Sequence, residues 1–104
     1  MPKKQREKTD QGVAEMSVYV DPLTDCLKSK IWPYDMSCHM FADTEEELHV
    51  MAAKIGLKRE WFQSKGRLKH YDLTVRKRLL AVKNGCIELT RREAVEMWKE
   101  IWPR

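Results

Sequence analysis

Residues 37–56 read SCHMFADTEEELHVMAAKIG, and a change of period inside this stretch decides the fold class. Over Ser37–Asp43 the side chains alternate: Cys38, Met40 and Ala42 share one face, His39, Phe41 and Asp43 the other. That is the two-residue period of a β-strand. At Thr44 the period switches. Thr44-Glu-Glu-Glu47 is a capping box, in which the threonine side chain caps the first helical turn and Glu47 reaches back. Leu48, Met51, Ala52 and Ile55 follow at i, i+3, i+4 and i+7, one apolar helical stripe. Gly56 then stands where a helix ends on a left-handed backbone. A strand feeding directly into a helix places the chain in the α/β or α+β class.

Upstream, Ser17–Asp21 (SVYVD) is β-branched and aromatic and stops at Pro22, which predicts a first strand with Asp21 at its carboxyl end. Residues 22–37 (PLTDCLKSKIWPYDMS) hold two prolines and no period, and read as a loop with a helical turn near 23–28. Such a long loop is a candidate lid. Downstream, Lys58–Gln63 predicts a short strand and Ser64–Lys69 a basic turn. His70–Leu73 leads into a second helix capped by Thr74, with Val75, Leu79 and Val82 as its apolar positions, Leu80 and Ala81 beside them, and Asn84-Gly85 as its stop. Cys86–Leu89 predicts another short strand. A second capping box, Thr90-Arg-Arg-Glu93, opens a third helix through Ala94, Val95, Trp98, Ile101 and Trp102, ended by Pro103. The expected architecture is a small mixed sheet of about four short strands with three packed helices, in the order β-β-α-β-α-β-α. Residues 1–15 (MPKKQREKTDQGVAE) are expected to form a disordered charged tail, and 16–104 a single α/β domain.

The chain has 104 residues, with 20 Lys+Arg against 16 Asp+Glu and a net charge of +4. No run approaches the roughly 18 apolar residues of a membrane span, and MPKKQREK is not followed by an apolar signal stretch. Cys26, Cys38 and Cys86 form no C-x-x-C, which argues against a disulfide scaffold or a zinc clip and suits reduced thiols in the cytoplasm. The glycines at 12, 56, 66 and 85 form neither a G-x-G-x-x-G nor a P-loop, and G-x-S-x-G and H-E-x-x-H do not occur. Cys38 and His39 are strand neighbours on opposite faces, so they do not make a thiolate–imidazole pair.

The residues suited to chemistry are acids and histidines at element ends. Asp21 and Asp43 end the first two strands, and Asp72 precedes the second helix; ligands of open α/β sheets gather beyond strand carboxyl ends. His39 lies on the face of Asp43, and His70 and Asp72 share a face if extended. Two imidazoles with carboxylates can hold a divalent metal or act as a general acid–base pair. Asp21, His39, His70 and Asp72 are thus the candidate metal ligands, and His39, His70 and Asp72 the candidate catalytic groups. The competing reading makes the aspartates caps and turn residues and the histidines ordinary hydrogen-bonding side chains. His49, off the apolar stripe, is expected to be solvated.

Arg76, Lys77 and Arg78 sit in the first turn of the second helix. Each cation there opposes the macrodipole by about 0.3–1 kcal/mol, a placement that suits an anion bound at the helix start. The bland alternative is a solvated cationic face. Asp21, Asp43, Trp61, Gln63, Arg76, Lys77 and Arg78 form the candidate ligand-binding set, with Trp61 as a stacking platform. Between Lys65 and Arg78 six cations face only Asp72, six minus one or +5, so the basicity is localised.

The ordered strings VYVD (18–21), CHMFADTEEELH (38–49), IGLKREWFQ (55–63), HYDLTVRKRLLAV (70–82) and NGCIEL (84–89) resemble the domain of unknown function 4031 family, small proteins of bacteria and bacteriophages. The resemblance covers residues 17–92 and places Asp21, His39, Asp43, Trp61, Gln63, His70, Asp72, Lys77 and Arg78 inside its strings. It implies a fold context and no mechanism. The leading expectation is a small cytoplasmic domain that binds a phosphorylated ligand, a nucleotide or a nucleic-acid end. A phage origin implied by the family would make a host nucleotide or defence factor the target. One alternative is a metal-assisted phosphodiester or phosphate-ester hydrolase built on the His/Asp cluster. The other is a protein-interaction module, with a second copy or a host protein as partner for the 22–37 loop and the Trp98/Trp102 helix.

Overall fold

Strand β1 (Val18–Val20) is completely buried, as its Val-Tyr-Val composition requires of a strand covered on both faces. It lies between β3 (Met36–Ala42) and β5 (Ile87–Glu88), antiparallel to the first and parallel to the second. The computed structural model describes residues 17–25, 36–64 and 68–101. The expected tail, most of the 22–37 loop, Cys26, Lys65, Arg67 and Trp102 lie outside the described residues.

Strand β3 organises the sheet. On one edge it pairs with β1 and then with β2 (Thr24–Asp25), and on the other with β4 (Tyr71–Leu73). Among the described residues the sheet has five strands, in the order β2-β3-β1-β5 with β4 added beside β3. Three α-helices among the described residues complete the mixed α+β fold: α1 (Glu45–Lys54), α2 (Val75–Lys83) and α3 (Arg91–Ile101). The capping box at Thr44 forms as expected: its Oγ accepts from the Glu47 N–H at 3.2 Å and donates to Glu47 Oε1 at 2.9 Å. Glu47 Oε2 also accepts the Ser17 N–H at 3.1 Å, which ties the helix start to β1. Gly56 ends α1 with φ +82°, in the left-handed region that a side chain would disfavour.

The alternation in β3 divides the apolar core in two. Val18, Val20, Cys38, Met40, Ala42, Tyr71 and Leu73 pack with Leu48, Met51 and Ala52 of α1 and Ala81 of α2. Tyr19 and Phe41 pack on the opposite face with Leu89 and with Ala94 and Met97 of α3. Tyr71 therefore belongs to the core under α1.

Four expectations change. Lys58–Gln63 is no strand: Arg59–Trp61 forms a 3-10 turn through Trp61 N–H to Lys58 O and Phe62 N–H to Arg59 O, and Gln63 alone bridges to His70. KREWFQ lacks alternating apolar residues, so no strand face pays for its burial. The strand instead forms at Tyr71–Leu73, where Tyr71 and Leu73 both reach the core. The ends of the 22–37 loop are paired, Thr24 with Ser37 and Asp25 with Met36. In α2, Val75 and Leu79 are exposed, at 44% and 65%, because Ala81 is the buried residue of that helix.

Candidate functional site

The antiparallel register of β3 and β4 sets His39 directly opposite Asp72. Directly opposed residues share a sheet face, here the one that carries Phe41 and α3. His70 lies two residues before Asp72, and so on that face as well. Its backbone exchanges two hydrogen bonds with Gln63, at 2.8 and 3.1 Å, which places Gln63 at the rim. Gln63 Nε2 reaches Asp72 Oδ2 at 3.4 Å.

Asp21 enters from the other side of His39. Pairing of Val20 with Met40 and of Thr24 with Ser37 leaves three residues on one strand against two on the other, a one-residue bulge at Asp21-Pro22-Leu23. At this bulge Asp21 N–H still donates to His39 O at 3.2 Å. A regular ladder would return the His39 N–H to the Asp21 carbonyl. Instead His39 N–H donates to Asp21 Oδ1 at 2.6 Å, and the freed carbonyl accepts Arg78 Nε at 2.9 Å. The second carboxylate oxygen, Oδ2, lies 2.8 Å from His39 Nδ1. Asp21 is only 7% exposed, so both oxygens find their partners within the protein.

These contacts assign the tautomers. A carboxylate and a backbone carbonyl only accept. His39 Nδ1 therefore donates to Asp21 and leaves Nε2 open. His70 Nδ1 donates to Leu68 O at 2.9 Å, which leaves its Nε2 facing Asp72 Oδ1 at 3.3 Å. The two rings meet edge to face with centroids 4.8 Å apart. One donor atom each from His39, His70 and Asp72 lies within 4.8 Å of the others. Hydrogen bonding to Asp21 raises the His39 pKa against the effect of burial, and the charges of Asp21 and Asp72 add to it, while Arg91 opposes. Asp72 is held below the ordinary carboxylate value, first by its hydrogen bond with His70, then by the charges of both histidines. His70 Nε2 and Asp72 Oδ1 face each other at 3.3 Å, a spacing at which a cation between them would satisfy both.

The other expected residues lie elsewhere. Asp43, four residues along β3 from His39 and about 13 Å away at the usual strand rise, accepts from the Tyr19 hydroxyl at 3.0 Å. Trp61 is 47% exposed, with Lys58 Nζ 5.7 Å from its ring. Lys77 Nζ donates to Ile55 O at 2.7 Å, satisfying a terminal carbonyl of α1. Arg78 joins the Asp21 carbonyl to Glu88, 3.2 Å from its Nη1. Arg76 remains exposed on α2.

Trp98, read from the sequence as a buried helix face or part of an interaction surface, is a neighbour of the site. Its ring packs edge-on against both His39 (5.8 Å) and Phe41 (5.7 Å), and its buried Nε1 has no hydrogen-bond partner among the described residues. The i, i+4 spacing from Ala94 put it on the inward face of α3; the strand opposite it was not readable from that spacing.

No curated protein and no solved structure matches the chain. A family model described as Protein of unknown function (DUF4031) matches residues 18–101. That match runs from the start of β1 to the end of α3 and takes in Asp21, His39, His70 and Asp72, and the chain therefore belongs to the DUF4031 family.

Proposed function

We propose that the protein binds a divalent metal ion through His39, His70 and Asp72 and uses it to bind and hydrolyse a phosphate ester or phosphodiester. One observation carries this reading: one donor atom each from His39, His70 and Asp72 converges within 4.8 Å, and Nδ1 of each histidine is held by a protein acceptor. The 3.3 Å separation of His70 Nε2 and Asp72 Oδ1 suits neighbouring ligands of a tetrahedral ion, which at bond lengths of about 2.0–2.1 Å stand roughly 3.3–3.4 Å apart. Three protein ligands leave a position for water or substrate, where the ion would polarise a phosphoryl oxygen and activate water. Water then adds across the P–O bond, its oxygen to phosphorus and a proton to the leaving alcohol.

A phosphorylated ligand held without metal is less well supported. Lys77 and Arg78 are engaged with backbone carbonyls, and Asp21 and Asp72 would repel an anion unless a cation intervened. The net charge of +4, the exposed Arg76 and the charge of Arg91 acting at His39 favour an anionic substrate. A nucleotide or nucleic-acid end in a host cytoplasm fits this chemistry. The cytoplasmic placement is supported by the free, buried Cys38 and Cys86. No helix among the described residues is long and apolar enough to cross a membrane.

The test is metal titration of the purified full chain, followed by hydrolysis of bis-p-nitrophenyl phosphate. One ion per chain and metal-dependent turnover are expected, both lost in His70→Ala and Asp72→Ala variants that keep the wild-type circular dichroism. Nucleotide binding that persists unchanged in excess chelator would replace this reading with the metal-free binder.

A further inference from the structure

Asp21 is poorly placed to be a ligand of the proposed ion, since both of its carboxylate oxygens face His39. Its position is nevertheless built with care. The bulge at Pro22 turns the carboxylate into the place that a backbone carbonyl would occupy, and Arg78 takes the displaced carbonyl. Asp21 Oδ1 fixes the main chain of His39 and Oδ2 fixes its ring, so the imidazole can neither rotate nor move its proton from Nδ1 without breaking a short bond in a 7%-exposed setting. A histidine that donates Nδ1–H to a carboxylate offers a more basic and better oriented Nε2 to a metal. His70 is fixed in the same tautomer by a neutral carbonyl, Leu68 O. The centre therefore has two imidazole nitrogens and one carboxylate oxygen, a donor set of intermediate softness. Imidazole suits zinc, copper, iron and nickel, whereas magnesium and calcium prefer all-oxygen shells.

We infer that Asp21 is the positioning residue of this centre, acting through His39, and that the ion it helps to hold is a first-row transition metal and not magnesium or calcium. The inference rests on the metal reading above. It is tested on the full chain by chelator-competition titration with Zn²⁺, Co²⁺ and Mg²⁺, for the wild type, Asp21→Asn and His39→Ala. Zn²⁺ and Co²⁺ should bind and Mg²⁺ should not displace them at equal concentration. Asp21→Asn should weaken Zn²⁺ and Co²⁺ binding by about 10–100-fold and alter the visible spectrum of the cobalt form, with His39→Ala weaker still. The wild-type zinc form supplies a second measurement that needs no variant to fold. A long-range proton–nitrogen spectrum of its histidine rings should show His39 protonated on Nδ1 and not on Nε2.

Equal Zn²⁺ affinity in wild type and Asp21→Asn, or a His39 ring protonated on Nε2 in the zinc form, overturns the positioning role while the metal reading stands. Mg²⁺ binding as tight as Zn²⁺ overturns the choice of metal. A wild type that binds none of the three ions overturns both readings.

Discussion

His49 stands one residue off the apolar stripe of α1 and was expected in solvent, yet its side chain is only 11% exposed. Its Nδ1 accepts from the Tyr71 hydroxyl at 2.8 Å, its Nε2 donates to Glu45 Oε2 at 3.3 Å, and Phe62 packs edge-on against the ring at 4.6 Å. Helical periodicity describes the stripe of one helix; it does not register a tyrosine arriving from β4. His49→Ala leaves the Tyr71 hydroxyl without this partner and should lower stability by about 1–3 kcal/mol, read by urea unfolding. Burial pushes the Cys38 and Cys86 thiols up to about 12, with the Asp21 charge adding to the effect at Cys38. Both should stay unalkylated by iodoacetamide at pH 8 in the native protein and react once it is unfolded, as mapped by peptide mass spectrometry.

Among the elements, α1 follows its sequence signals most closely, because a cap and a four-residue spacing are local properties. Thr44→Ala removes the Oγ that accepts the Glu47 N–H and should cost about 0.5–2 kcal/mol. The second helix departs from its pattern. Its capping at Thr44's counterpart, Thr74, is as expected, with Oγ accepting the Lys77 N–H at 3.2 Å. The helix is rotated, however, so that Lys77 and Arg78 reach inward to carbonyls while Leu79 faces out. Long cationic side chains can cover apolar surface with their stems and still deliver their charge to an acceptor. Leu79→Ala should therefore change stability by less than about 0.5 kcal/mol, against the 2–5 kcal/mol of a core leucine; thermal unfolding distinguishes the two.

At the scale of the molecule, the sheet separates two apolar clusters among the described residues, and the His/Asp row occupies the α3 side beside Phe41 and Trp98. If the row holds an ion only when folded, the ion stabilises the native state. At a hundred times its dissociation constant the gain is about 2.7 kcal/mol. Differential scanning fluorimetry should show that rise with Zn²⁺ for the wild type, its reversal by chelator, and its absence in His70→Ala.

The sequence by itself determined the strand-to-helix switch at 37–56, the three helices, and the alternation that sets His39 opposite to Cys38. It also put His70 and Asp72 on one face. All of these rest on periods and caps within a few residues of each other. The tertiary structure alone decided which of those residues meet. Register brings His39 to Asp72, and a one-residue bulge turns Asp21 behind His39. The same register leaves Asp43 with Tyr19, and the rotation of α2 draws Lys77 and Arg78 to backbone carbonyls. Strand register and the buried face of a helix are settled by contacts far apart in the chain, which no local period encodes.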